Sequence, residues 1–125
     1  MSNAPTVLMG LFPLIRAVVR SGTSATATTV TADDSGTLFV NLSTSAHTYT
    51  LPAVAAGKGK GWFFFNGDGS QTIAVTSGTA SVMMLNDSAS STTNTATAAV
   101  GAWCLVIGDG TYYYCFEGSG TWTES

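Results

Sequence analysis

The feature that most constrains this chain is a succession of short β-type runs, each bounded by Gly, Asp, Asn or Ser, recurring at roughly ten-residue spacing from about residue 30 onward. The clearest runs span 37–42, 47–51, 61–66, 71–76, 80–85, 102–107 and 111–116, with weaker ones at 28–32 and 95–100. No stretch carries a 3.6-residue apolar period long enough for a helix. The pattern predicts an all-β domain of about eight or nine short strands, a β-sandwich, a jelly roll or a related barrel. No internal sequence repeat accompanies it, and 125 residues suit a single core.

Two hairpins are expected from turn chemistry. In the first, Trp62-Phe63-Phe64-Phe65 and Thr72-Ile73-Ala74-Val75 flank Asn66-Gly67-Asp68-Gly69-Ser70, whose Gly and Asx residues tolerate positive φ. In the second, Asp109-Gly110 reads as a two-residue type I′ loop, setting Ile107 opposite Tyr112, Leu105 opposite Tyr114 and Trp103 opposite Phe116. One face of that hairpin becomes a continuous apolar and aromatic ladder, and the aromatic hairpins are assigned mainly to the core. The same register puts Cys104 opposite Cys115 at a hydrogen-bonded position, with a Cα separation of about 5.5 Å. A cross-strand disulfide and a pair of buried thiols are both compatible with it, the side-chain approach there favouring the thiols.

Upstream of residue 30 the composition changes. Residues 1–22 combine an apolar run with Arg16 and Arg20, and Pro5, Gly10 and Pro13 prevent a clean helix. They are expected to form an extended arm. Residues 23–29 read as a Ser/Thr/Ala linker, and 30–125 as the β-domain. The apolar part, 7–15, has no basic region before it, as a signal peptide would, and is too short to span a bilayer. No membrane association is expected.

Charge narrows the possible partners. Charged residues make up 9% of the chain, against about 25% in ordinary domains. Four basic residues (Arg16, Arg20, Lys58 and Lys60) in a chain of formal charge -3 cannot supply the run of phosphate contacts that nucleic-acid binding needs. A surface covered by hydroxyls, Gly and Ala in place of ions suits a protein that packs into a larger assembly.

Catalytic and metal constellations are weak. His47 is the only histidine, and it alternates with Tyr49 and Leu51 on one strand face, as a structural histidine does. A triad could be drawn from His47, Asp33 or Asp34 and one of many serines, but no nucleophile turn of the G-x-S-x-G kind is present. One His and two Cys outside C-x-x-C spacing fall short of an ordinary zinc site. Asn66-Gly67-Asp68-Gly69-Ser70 imitates the start of a calcium loop, but Ser77 stands where its glutamate belongs. Gly57-Lys58-Gly59-Lys60-Gly61 meets neither phosphate-loop spacing and reads as a solvated loop, with Lys58 and Lys60 as surface contacts. No enzyme activity, metal or cofactor is expected.

Thr31-Ala32-Asp33-Asp34-Ser35-Gly36-Thr37-Leu38-Phe39-Val40-Asn41, then Thr48-Tyr49-Thr50-Leu51-Pro52, then Gly61-Trp62-Phe63-Phe64-Phe65 form an ordered set of short motifs, with Trp103 or Trp122 near the end. The set resembles small β-rich structural domains of tailed bacteriophages, over about residues 30–122. The resemblance implies a capsid decoration (cement) protein: commonly a homotrimer, assembled in the host cytoplasm, seated on the exterior of the virion, bridging copies of the major capsid protein. It does not reach the arm. For such a protein the arm is the expected capsid contact, through Val7, Leu8, Met9, Leu11, Phe12, Leu14, Ile15 and Arg16. The alternative is a fibre or tail-associated receptor- or glycan-binding domain, with Tyr112 to Tyr114 as sugar contacts.

Overall fold

The computed structural model describes residues 15–85 and 90–125. Among them are twelve strands: β1 (Ala17–Arg20), β2 (Ala27–Thr29), β3 (Thr37–Asn41), β4 (His47–Thr50), β5 (Gly61–Asn66), β6 (Ile73–Thr76), β7 (Met83–Leu85), β8 (Ser90–Ser91), β9 (Thr93–Ala96), β10 (Trp103–Gly108), β11 (Tyr113–Ser119) and β12 (Trp122–Glu124). They make a seven-stranded sheet, β1-β3-β5-β10-β11-β7-β8, and a five-stranded sheet, β12-β9-β6-β4-β2. The all-β expectation holds, and the two sheets are consistent with the sandwich or barrel-like architecture expected. The strand number exceeds it because β1, β8 and β12 are short edge strands, too brief to stand out as periodic runs.

The first six strands alternate between the sheets and wind as a coil. β1, β3 and β5 lie side by side in parallel in one sheet, and β2, β4 and β6 do the same in the other. The expected hairpin between 62–65 and 72–75 is therefore corrected: β5 and β6 belong to different sheets. The Asn66-Gly67-Asp68-Gly69-Ser70 segment is a corner from one sheet to the other. Turn residues announce that the chain bends, and burial decides which strand it bends toward.

A buried polar ladder holds that corner. Asn41 and Asn66 are in register on neighbouring strands and both have no exposure, and Asn41 Nδ2 donates to Asn66 Oδ1 at 3.1 Å. Asn66 Nδ2 donates to the Gln71 carbonyl at 3.0 Å, and Asn66 Oδ1 also accepts from Asp68 N at 3.3 Å. One turn earlier in the coil, Ser21 Oγ donates to Asn41 Oδ1 at 3.3 Å and accepts from Leu42 N at 2.8 Å. Each turn thus satisfies the polar groups of the next, as dry burial demands.

Alternation sorts the remaining side chains. On β3, β4 and β5 the residues Phe39, Tyr49, Trp62 and Phe64 point between the sheets, and Phe39 stacks on Phe64 at 5.5 Å while Tyr49 meets Phe64 at 5.1 Å. β6 adds Ile73 and Val75, β10 adds Cys104 and Val106, and β11 adds Tyr113 and Cys115. Tyr113 threads between Gly57 and Gly108, where any Cβ would collide with its ring, and donates its hydroxyl to the Pro52 carbonyl at 2.8 Å.

The second expected hairpin exists, as β10 and β11, in a register moved by two residues. Ile107 faces Tyr114, Val106 faces Cys115 and Leu105 faces Phe116. The cause is Asp109, whose carboxylate accepts from Thr111 N at 2.8 Å and Tyr112 N at 2.7 Å, while Asp109 N donates to the Tyr112 carbonyl at 3.1 Å. These bonds, with Gly110 at φ 92°, build a four-residue loop in place of the two-residue one. Cys104 consequently faces Glu117 and not Cys115. Both thiols are free and buried. The apolar ladder of Leu105, Ile107, Tyr114 and Phe116 survives the shift but lies on the outside of the sheet, so its assignment to the core is corrected too.

The stretches read as arm and linker carry β1 and β2. All four residues of β1 are exposed, and what holds them is the backbone ladder to β3. A parallel edge offers unpaired N–H and C=O groups to any extended segment that reaches it, which composition does not reveal.

Candidate functional site

The seven-stranded sheet has an outer face that is apolar across five strands. Register places Val18, Leu38, Phe63, Leu105 and Phe116 in one row from β1 to β11. A second row runs Val40, Phe65, Trp103, and a third Ile107, Tyr114, Met84. Phe116 is 55% exposed and Val18 58%, while Phe63, Phe65 and Leu105 are half-buried by one another. Large contiguous apolar surfaces of this kind mark interaction sites in soluble domains.

The face is grooved, not flat. One groove of about 320 Å³ has Phe63, Leu105 and Ile107 for its floor, with Arg16 and Lys60 at its rim. A second, of about 270 Å³, is lined by Leu38, Phe63, Phe65 and Trp103 alone. Phe63 lines both, so the two grooves adjoin at its ring on the central strands. The Trp103 ring fixes one wall: it lies over Gly118, where a Cβ would fall inside the indole, and tilts against Phe63 at 6.5 Å. Gly118 is what allows the indole to lie flat on the sheet.

Of the residues expected to make contacts, the structure brings together Arg16 and Lys60 on the groove rim. Arg16 is placed by its own backbone, since its N–H donates to the Gly36 carbonyl at 2.7 Å. Ile15 is 39% exposed beside it in sequence, and Lys58 is exposed in the loop bridged to Gly108, outside the groove. Val7, Leu8, Met9, Leu11, Phe12 and Leu14 lie outside the described residues. Sequence reasoning missed Phe63, Phe65, Trp103, Leu105, Ile107 and Phe116 as surface residues. A signal was present: 62–65 and 103–107 are apolar in both alternation phases, as strands covered on both faces are.

The remaining candidates resolve into local structure. His47 is buried, stacks on Tyr49 at 4.4 Å and shares a 2.7 Å hydrogen bond between Nε2 and Thr28 Oγ1. Burial lowers its pKa, the Ala25 carbonyl opposing. Asp34 caps its own turn, accepting from Thr31 N at 2.8 Å, and Asp68 accepts from Ser70 N at 2.8 Å. Burial pushes the Cys115 thiol up to about 12 and the Cys104 thiol well above its ordinary value, so neither is a ready nucleophile. Among the described residues, no group of three His, Cys, Asp or Glu side chains is arranged to hold a metal ion.

Tyr112 to Tyr114 do not act as one surface. Tyr113 is buried, while Tyr112 and Tyr114 meet edge to face at 6.5 Å outside, and Tyr114 Oη donates to Asp109 Oδ2 at 2.7 Å. That bond holds the Asp109 carboxyl low and the Tyr114 phenol high. Compared with models of known protein families the chain matches none, and no curated protein sequence is significantly similar to it.

Proposed function

We propose that this chain is a structural attachment protein of the capsid-decoration kind, which binds the outer surface of a phage head and stabilises it by bridging copies of the major capsid protein. The observation that supports attachment is the outer face of the seven-stranded sheet: a grooved apolar surface on a two-sheet body, in a chain with 9% charged residues. The phage head as the partner rests on the motif resemblance over residues 30–122, and so does the homotrimer. Burying one side chain such as Phe116 against a shell contributes about 1.5–3 kcal/mol before ordering costs. Three linked copies multiply such contacts without any new chemistry.

The test is co-sedimentation of the purified chain with undecorated phage heads, comparing wild type with Phe116→Asp and Ile107→Asp. Both positions are exposed, so the fold should survive, as near-UV circular dichroism will report. Binding by wild type and its loss in both variants is expected. Binding to heads that persists in both variants refutes attachment through this face. Glycan binding without any affinity for heads overturns the decoration reading in favour of a fibre domain.

A further inference from the structure

The coil begins with two parallel edge strands, β1 in one sheet and β2 in the other, and only the first of them carries charge. We propose that the outer edge of β1 is a docking site for an extended acidic segment of a partner protein, which adds as a further strand and sets one carboxylate against Arg16 and another against Arg20. The inference goes beyond attachment through the outer face, because it concerns the edge of the sheet and needs no phage head for its test.

Three observations carry it. The first is the direction of the backbone groups. Ala17 to Arg20 are in register with Thr37 to Val40, and Ser21 N donates to the Val40 carbonyl at 2.9 Å. Alternate residues of a parallel ladder bond to the same neighbour, so Ala17, Val19 and Ser21 turn their polar backbone toward β3, while Val18 and Arg20 turn theirs away from it. Among the described residues β1 is the end of its sheet. The N–H and C=O of Val18 and of Arg20 therefore face the place of a further strand.

The second is an uncovered inward position. Val19 is in register with Phe39, which is buried between the sheets, yet Val19 itself is 45% exposed. An apolar side chain that points inward from the last strand stays wet until another strand lies beside it, and an apolar residue opposite Val19 would bury both. β2 ends the other sheet in a similar way: Val30 N donates to the Thr50 carbonyl at 2.8 Å, and Ala27 and Thr29 turn outward. Its Ala-Thr-Thr sequence, however, offers neither a charge nor a large apolar group.

The third is charge, and it selects the occupant. Alternation puts Arg16, Val18 and Arg20 on the outer-face side of β1, and Arg16 lines a groove with Phe63 and Leu105. The neighbouring strands β3, β5 and β10 hold no Asp or Glu. An added strand thus meets two cations flanking one apolar residue, and carboxylates two positions to either side of a Val or Leu complement them. Residues 1–14 hold no Asp or Glu, so they do not supply that pattern. A second copy of β1 does not supply it either. Every two-fold antiparallel register brings Arg20 directly opposite or diagonal to an arginine of its copy, where like charges repel.

The test titrates the peptide acetyl-Ser-Glu-Val-Val-Val-Glu-Ser-amide into the full isotope-labelled chain, followed by NMR. Amide shift changes centred on Val18 to Arg20 are expected, with slowed exchange of the Val18 and Arg20 N–H groups. An exposed ion pair changes affinity by up to about fivefold, so the Lys-Val-Val-Val-Lys counterpart, which reverses two pairs, should bind at least about tenfold more weakly. N-methylation of the central Val, which removes a backbone donor, should also weaken the acidic peptide several-fold. Arg16→Glu with Arg20→Glu, both at exposed positions, should invert the preference between the two peptides. Equal binding of both peptides by wild type, shifts confined to β2 or to the outer-face grooves, or no binding at all overturns the proposal. Slow exchange of the Val18 and Arg20 N–H groups in the free chain overturns it too: in favour of the chain's own N-terminal segment if independent of protein concentration, and of a second copy if it grows with concentration. None of these readouts involves a phage head, so the edge reading and the attachment reading fail separately.

Discussion

Removing the Asn66 side chain tests the coil at its corner. In Asn66→Ala, the Asn41 amide loses the acceptor it reaches at 3.1 Å, in a site where neither asparagine has any exposure. A buried donor left without a partner costs about 1–3 kcal/mol. The Gln71 carbonyl and Asp68 N–H also lose their partners, but these residues lie at the surface end of the corner where water replaces the bonds, adding about 1 kcal/mol. The sum is about 2–4 kcal/mol, which at an m-value of about 2 kcal/mol/M lowers the urea midpoint by about 1–2 M. Urea unfolding followed by tryptophan fluorescence measures it directly, because Trp62 lies in the same strand. A double-mutant cycle with Asn41→Ala sharpens the result: the stranded amide is counted once, so the double variant should be less destabilised than the sum by about 1 kcal/mol or more. Additivity within about 0.5 kcal/mol, or a single-variant cost below about 0.5 kcal/mol, would refute the ladder as what holds the corner.

Two further outcomes follow from buried groups. His47 is held below its ordinary imidazole value by burial, so the folded chain resists protonation while the unfolded chain takes it up. Its contribution to stability is full above the unfolded value of 6.5 and is lost as pH falls through the lower folded value, and His47→Phe should flatten that part of a urea-midpoint profile. Cys104 and Cys115, both buried with raised pKa, should react slowly with a thiol reagent at pH 8 in the native protein and promptly, two per chain, in denaturant. Rapid native labelling of either would contradict its placement in the core.

Much of the fold was legible in local pattern. Runs 37–42, 47–51 and 61–66 became β3, β4 and β5 with bounds close to those expected, because strict alternation of Phe39 and Asn41, His47 and Tyr49, Trp62 and Phe64 needs only one buried face to be satisfied. The Asp109-Gly110 turn was also readable, while its loop length was not: whether the Asp109 carboxylate caps two backbone N–H groups is decided by geometry after the chain has turned. A shift of two residues preserves which side chains share a face, so the apolar ladder survived the error and only its side of the sheet was misread.

What the sequence determined by itself was the class of structure and the identity of the faces, because period-two burial is a local property of a strand. Which strands became neighbours, and which face stayed uncovered, was decided only in three dimensions. Phe63 and Phe64 are chemically the same residue one position apart, yet Phe64 is sealed between the sheets and Phe63 lines two grooves on the outer face. That difference exists because the second sheet covers one side of the first, and no element among the described residues covers the other.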